Sequence, residues 1–199
     1  MKSFLLKLSG MILAVGLIAA SSIYYRMVEL RNRVDERWNE LEVLIYKRAE
    51  LIPKFTSEMP LLSAEQSEAA DRLVNAYITI NSANTRATIA TANHEIDSAL
   101  FDFFAYAEQY DMSQIDPRFS RWLQKFSSLN RSILSASQDY NDAVECYNAA
   151  ITEFPAYFIA QFAGFRTEPK VAVLEKSIEI QGDGEDKGEG QTERKAIQD

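Results

Sequence analysis

Few residue types in this 199-residue chain can do chemistry: it has one His and one Cys. His94-Glu95 opens like the His-Glu-x-x-His motif of zinc hydrolases, but Ser98 stands where a second ligand is needed one helical turn later. The pair of Glu-x-x-His motifs of a ferritin-like di-metal bundle needs two His. No GxxxxGK[ST], GxGxxG or GxSxG segment occurs. No base is placed by the sequence to lower the pKa of Cys146, which reads as a small apolar helix residue. His94 reads as a surface or capping residue at a helix start. The expectation is no catalytic residue, no metal ligand and no cofactor, and so a non-enzymatic protein.

Other polar and aromatic residues have spacing that suits binding. Tyr140-Asn141 and Tyr147-Asn148 recur one heptad apart, which puts both rings on one helical stripe and both amides on its flank. A buried Tyr needs a partner for its hydroxyl, and an Asn across a bundle can supply it, so these four residues are read as a register network. A ligand pocket between helices is the alternative. Phe154, Phe158, Phe162 and Phe165 fall on one side of a short helix that Pro155 can start and Gly164 can stop, and form the candidate interface. They either fold back to cap a bundle, the favoured reading because an exposed Phe stripe invites aggregation, or meet a partner or the membrane surface. Asn32, Asp35 and the run Arg48 to Pro53 could form a buried polar network, but a solvated charged face is favoured. Arg118, Arg121 and Lys125 make a basic stripe that would reach anionic lipid only if the fold brings it to the bilayer.

The elements that must position these residues are helical. Phe4 to Tyr25 is apolar apart from Lys7, and at about 1.5 Å per residue it spans roughly 33 Å, enough for a hydrocarbon core of about 30 Å. Tyr24 and Tyr25 sit where an aromatic belt is expected. A retained anchor is preferred to a cleaved signal peptide, whose small residues would be Ala19, Ala20 and Ser21. Beyond it, Val34, Trp38, Leu41, Ile45 and Ile52 trace a bundle or coiled-coil seam, and Pro53 is expected to kink or end that helix so that the next folds back. A second helix carries Leu62, Ala69, Leu73, Tyr77 and Ile80 and weakens in the polar stretch Ser82 to Asn93. A third begins near Asn93 as N-cap. The fourth starts at Asp116-Pro117 and runs with regular apolar spacing from Phe119 to Phe154.

The fold class is therefore all-α: an N-terminal transmembrane helix, an elongated antiparallel bundle of about four helices, and a disordered acidic C-terminal tail. The boundaries fall at 1–3 (short tail), 4–25 (anchor), 26–172 (bundle) and 173–199 (acidic tail). A net charge of -8 and a pI near 4.8, without a clustered basic face, argue against nucleic acid as a partner. The expected partners are the lipid bilayer through residues 4–25 and a protein, or a second copy of this chain.

Three segments stand in a telling order: LRNRVDERWNELEVLIYKRAELIPKF (30–55) just after the anchor, YNDAVECYNAAITEFP (140–155), and AGF (163–165). Together they resemble the LemA family. The resemblance implies a single N-terminal membrane helix carrying a long antiparallel bundle, in the cell (inner) membrane, and it brings no catalytic residues. The chain departs from the family pattern at 58–73, at Asn130-Arg131 and near Lys170 to Ala172. For orientation, Lys2 and Lys7 before the apolar run favour a bundle outside the cytoplasm, against Arg26, Arg31, Arg33 and Arg37 on the other side.

Overall fold

The computed structural model describes residues 2–59, 63–109 and 117–172. The expected acidic tail (173–199), the Asp116 cap, Pro60 and Leu62 lie outside the described residues. Every described element is an α-helix.

Helix α1, Lys2–Ala49, is one continuous rod of 48 residues. Its first part is apolar and exposed, with Phe4, Met11, Ile12, Leu13, Val15, Leu17 and Ile18 all uncovered by protein. It is the one described helix long and apolar enough to cross a membrane, and none of that stretch is buried inside the protein. Side chains of that kind on an uncovered helix match lipid rather than water. Burial starts at Met27 and continues through Val34, Trp38, Leu41 and Ile45, the seam read from the sequence.

The first helix does end just ahead of Pro53, as expected, but the chain does not fold back there. The last turn of α1 tightens, with Leu51 N–H donating to the Arg48 carbonyl at 3.1 Å. Pro53 then sits in the first turn of α2, Ile52–Glu58, where its missing N–H costs nothing. Helix α2 carries on in the direction of α1, and the next described helix runs back alongside, with Tyr46 Oη donating to the Ile80 carbonyl at 3.3 Å.

Helix α3, Ala64–Ser82, is capped by Ser63, whose hydroxyl accepts from the Gln66 N–H at 3.1 Å. Helix α4, Arg86–Gln109, starts earlier than expected. Its cap is Thr85, whose hydroxyl accepts from the Thr88 N–H at 3.2 Å, so Asn93 lies inside the helix and buried. The polar look of Ser82 to Asn93 hid the Thr85 cap and the Ala87, Ala90 and Ala92 that follow it, Ala being the best helix former. Helix α5, Pro117–Thr152, has 36 residues with Pro at its start as expected, and ends two residues before Phe154.

The chain thus runs up α1 and α2, down α3, up α4 and down α5. Facing pairs fix this order: Arg86 meets Asp35, Arg48 meets Asp97, Arg72 meets Asp102, and Trp38 meets Tyr140. At the far end Phe55, Phe103, Phe104, Phe119, Trp122 and Phe126 pack as an aromatic cluster, with Phe55 in ring contact with four of the others at 4.8–5.8 Å. At the near end, α1 and α5 extend past the α3–α4 turn, which reaches only the level of Asp35 and Trp38. Helix α6, Ala156–Ala163, and the extended segment 165–172 cover the surface this leaves open.

Candidate functional site

Three features of the bundle bring together the residues that the sequence singled out. The first is the extended segment 165–172, which crosses the near end as a strap. Gly164 starts it, with φ 78°, a conformation that residues with a Cβ rarely adopt. The Phe165 N–H bonds to the Ala160 carbonyl at 3.0 Å, closing α6 in a Schellman-type cap. The chain then runs back along α5. Tyr147 Oη donates to the Arg166 carbonyl at 2.9 Å, while Asn148 donates through Nδ2 to the Glu168 carbonyl (2.8 Å) and accepts from its N–H (2.9 Å). One heptad earlier, Tyr140 Oη donates to the Pro169 carbonyl at 3.1 Å, and Asn141 pairs both ways with Val171 at 3.0 and 2.9 Å.

The spacing explains itself physically. Seven helical residues rise about 10.5 Å, and three extended residues cover about 10 Å. A Tyr-Asn pair repeated every heptad therefore meets the backbone of an extended segment every three residues. Each Asn amide gives the strap the two hydrogen bonds that a neighbouring β-strand would give. The Tyr hydroxyls do not bond to Asn across the bundle, as the heptad spacing alone suggests; both residue types hold the strap. Burial raises the pKa of Tyr140 and of Tyr147, which keeps both phenols as neutral donors.

The strap ties three helices together. Glu168 accepts from Arg31 of α1 at 3.4 Å and lies 4.0 Å from Arg86 of α4. Arg86 also bonds Asp35 at 2.6 Å and lies 5.4 Å from the centre of the Trp38 ring. Beside this junction is a cleft of ≈ 340 Å³ with Trp38, Arg86, His94, Tyr140 and Val171 in its wall. His94 is exposed and well inside α4, not at its start. Arg33 and Asn32 are solvated, as the favoured reading of that face has it.

The second feature is Arg48, which the sequence pattern places on the solvated face. It is fully buried. Nη1 donates to Asp97 and to Asn130 Oδ1 (2.6 Å), and Nη2 donates to the carbonyl and Oδ1 of Asn93 at 3.1 and 2.7 Å. One guanidinium thus joins α1, α4 and α5 at mid-bundle. The signal was in the spacing: between Ile45 and Ile52, Arg48 occupies the seam position where an apolar residue would stand.

The third is helix α6. Its Ala156, Ile159 and Ala160 face the core, whereas Phe154, Phe158 and Phe162 are 84%, 65% and 97% exposed. The expectation that the Phe stripe caps the bundle is therefore corrected: small residues do the packing and three of the four Phe point outward. Phe165 alone turns in, in ring contact with Tyr24 at 5.7 Å. Cys146 is a free, exposed thiol on α5. The described residues contain no cluster of three or more His, Cys, Asp or Glu suited to a metal ion. The stripe of Arg118, Arg121 and Lys125 lies at the far end, where Lys125 stacks over Trp122 at 5.1 Å. That is roughly 45 Å along the bundle from Tyr25, at about 1.5 Å per helical residue.

The sequence model of the LemA family matches residues 37–181. This chain belongs to the LemA family. The matched stretch holds most of what is described above, from Trp38 and Arg48 to the strap with its Tyr-Asn clasps. It begins inside α1 and leaves out the apolar segment. No curated protein matches the chain.

Proposed function

We propose that this LemA protein is a non-enzymatic scaffold: a rigid helical bundle held on one membrane helix, which presents its flanks to a protein partner or a second copy at the membrane surface. The observation that carries the reading is the continuity of α1, which passes from an exposed apolar stretch into the bundle seam without a break. With α5 and the strap locked to it, the bundle moves as one body with the span. The bundle stands on the non-cytoplasmic side of the cell membrane in this reading, following the basic N-terminus.

Cross-linking of the full chain in native membranes tests it. A reproducible adduct with a membrane protein or a second copy is the expected result, and adduct-free chain at all cross-linker concentrations counts against it. Because Cys146 is exposed, a membrane-impermeant maleimide reports the side: labelling in intact cells places the bundle outside the cytoplasm, and labelling only after lysis places it inside. The cleft beside Trp38 favours a second reading, a small-molecule sensor. There a metabolite would raise the melting midpoint of the wild type but not of Ala90→Trp, which fills the cleft.

A further inference from the structure

The place of α6 along α1 identifies what its exposed aromatic face meets. Two independent observations fix the level. Trp38 faces Tyr140, and Arg31 shares Glu168 with Asn148, so each residue up α1 corresponds to one down α5. Thr152, the last residue of α5, therefore falls level with Arg26 and Met27. At the other end of α6, the Phe165 ring touches Tyr24. Helix α6 is bracketed between these points, at the residues where the apolar stretch of α1 ends.

We propose that α6 is an interfacial helix, with Phe154, Phe158 and Phe162 embedded in the headgroup and upper acyl region of the bilayer that α1 crosses. The proposal rests on the reading of α1 as a membrane anchor. The face fits a lipid interface in composition. It is apolar and aromatic, it continues the exposed Tyr24 and Tyr25 belt around the exit point, and its inward side is small enough to lie flat against α1. Arg26 and Arg166 flank it, exposed and without an ion pair among the described residues, in position for phosphate groups. Three Phe held within one helix length of a bilayer surface would otherwise be exposed to water at the one place where a water-free medium adjoins.

The test uses the full chain with Phe162→Trp, reconstituted into phosphatidylcholine and phosphatidylglycerol vesicles with either ordinary or dibrominated acyl chains. Trp38 and Trp122 are buried in the bundle, so their emission, measured in the wild type, is a fixed background. The expected result is a blue-shifted added emission that falls at least about twofold on bromination, while Asp142→Trp, exposed farther along α5, is unaffected. Emission typical of water overturns the proposal. So does a blue shift that bromination leaves unchanged, which would mean that a second copy of the chain covers the face. Should Phe162→Trp disturb the helix by circular dichroism, Phe158→Trp gives the same readout. Vesicle flotation separates the two layers of the argument: a chain that does not float refutes the anchor itself, and a chain that floats with its introduced indole unquenched refutes only the placement of α6.

Discussion

Phe55, at the end of the bundle far from the apolar segment, is fully enclosed by other rings, whereas Phe162, at the near end, is 97% exposed. The two regions use the same residue type for opposite purposes. In the far cluster, rings from α2, α4 and α5 meet edge to face, so each covers its neighbours and the cluster closes on itself. At the near end the aromatic rings of α6 point away, and the closure is made by hydrogen bonds between Tyr, Asn and a strap of backbone. Aromatic content alone therefore does not say where a core is; the spacing and the partner do.

The largest effect that would test this contrast is expected from Phe55→Ala. It should cost about 4 kcal/mol in denaturant unfolding of the full chain in detergent micelles, while Phe158→Ser should stay within about 0.5 kcal/mol. Similar losses from both would mean that α6 belongs to the core after all. Next comes Arg48→Met, which leaves Asp97 and two Asn residues facing an apolar side chain and should cost about 3 kcal/mol. Adding Asp97→Asn to it should recover part of that loss, because the stranded charge is then removed.

Losses smaller than those at Phe55 and Arg48 are expected at the strap. Tyr147→Phe should cost about 1 kcal/mol and Asn148→Ala about 2 kcal/mol, since the amide serves both a donor and an acceptor. The pH dependence has a definite sign. Burial raises both phenol pKa values in the fold above the ordinary 10.0, so the clasp is at full strength below pH 10 and weakens as pH rises through the folded values. Unfolding at pH 8 and pH 11 should therefore show a loss for the wild type that shrinks in the double variant Tyr140→Phe with Tyr147→Phe. An equal loss in both would place the alkaline sensitivity elsewhere.

The rods of the fold were legible because helical periodicity is a property of local sequence: the seam from Val34 to Ile52 and the 36-residue α5 needed nothing else. What escaped depended on distant partners. Tyr140, Asn141, Tyr147 and Asn148 stand out by their heptad spacing, but residues 165–172 have no periodicity to mark them as the strap these four bind. Arg48 looks solvated because a guanidinium on a helix usually is, and only Asp97, Asn93 and Asn130, spread over two other helices, offset the cost of burying it. The Phe stripe is visible in the sequence, but its direction depends on which side of α6 meets α1.

The ion pair between Arg31 and Glu168 joins residues 137 positions apart in the chain. Contacts across so long a loop carry a large closure entropy and form late, whereas the α3–α4 hairpin is local and can form early. During synthesis α1 emerges well before the strap. The near end of the bundle is thus the final part to be sealed, and until then α6 is tethered by the end of α5 alone.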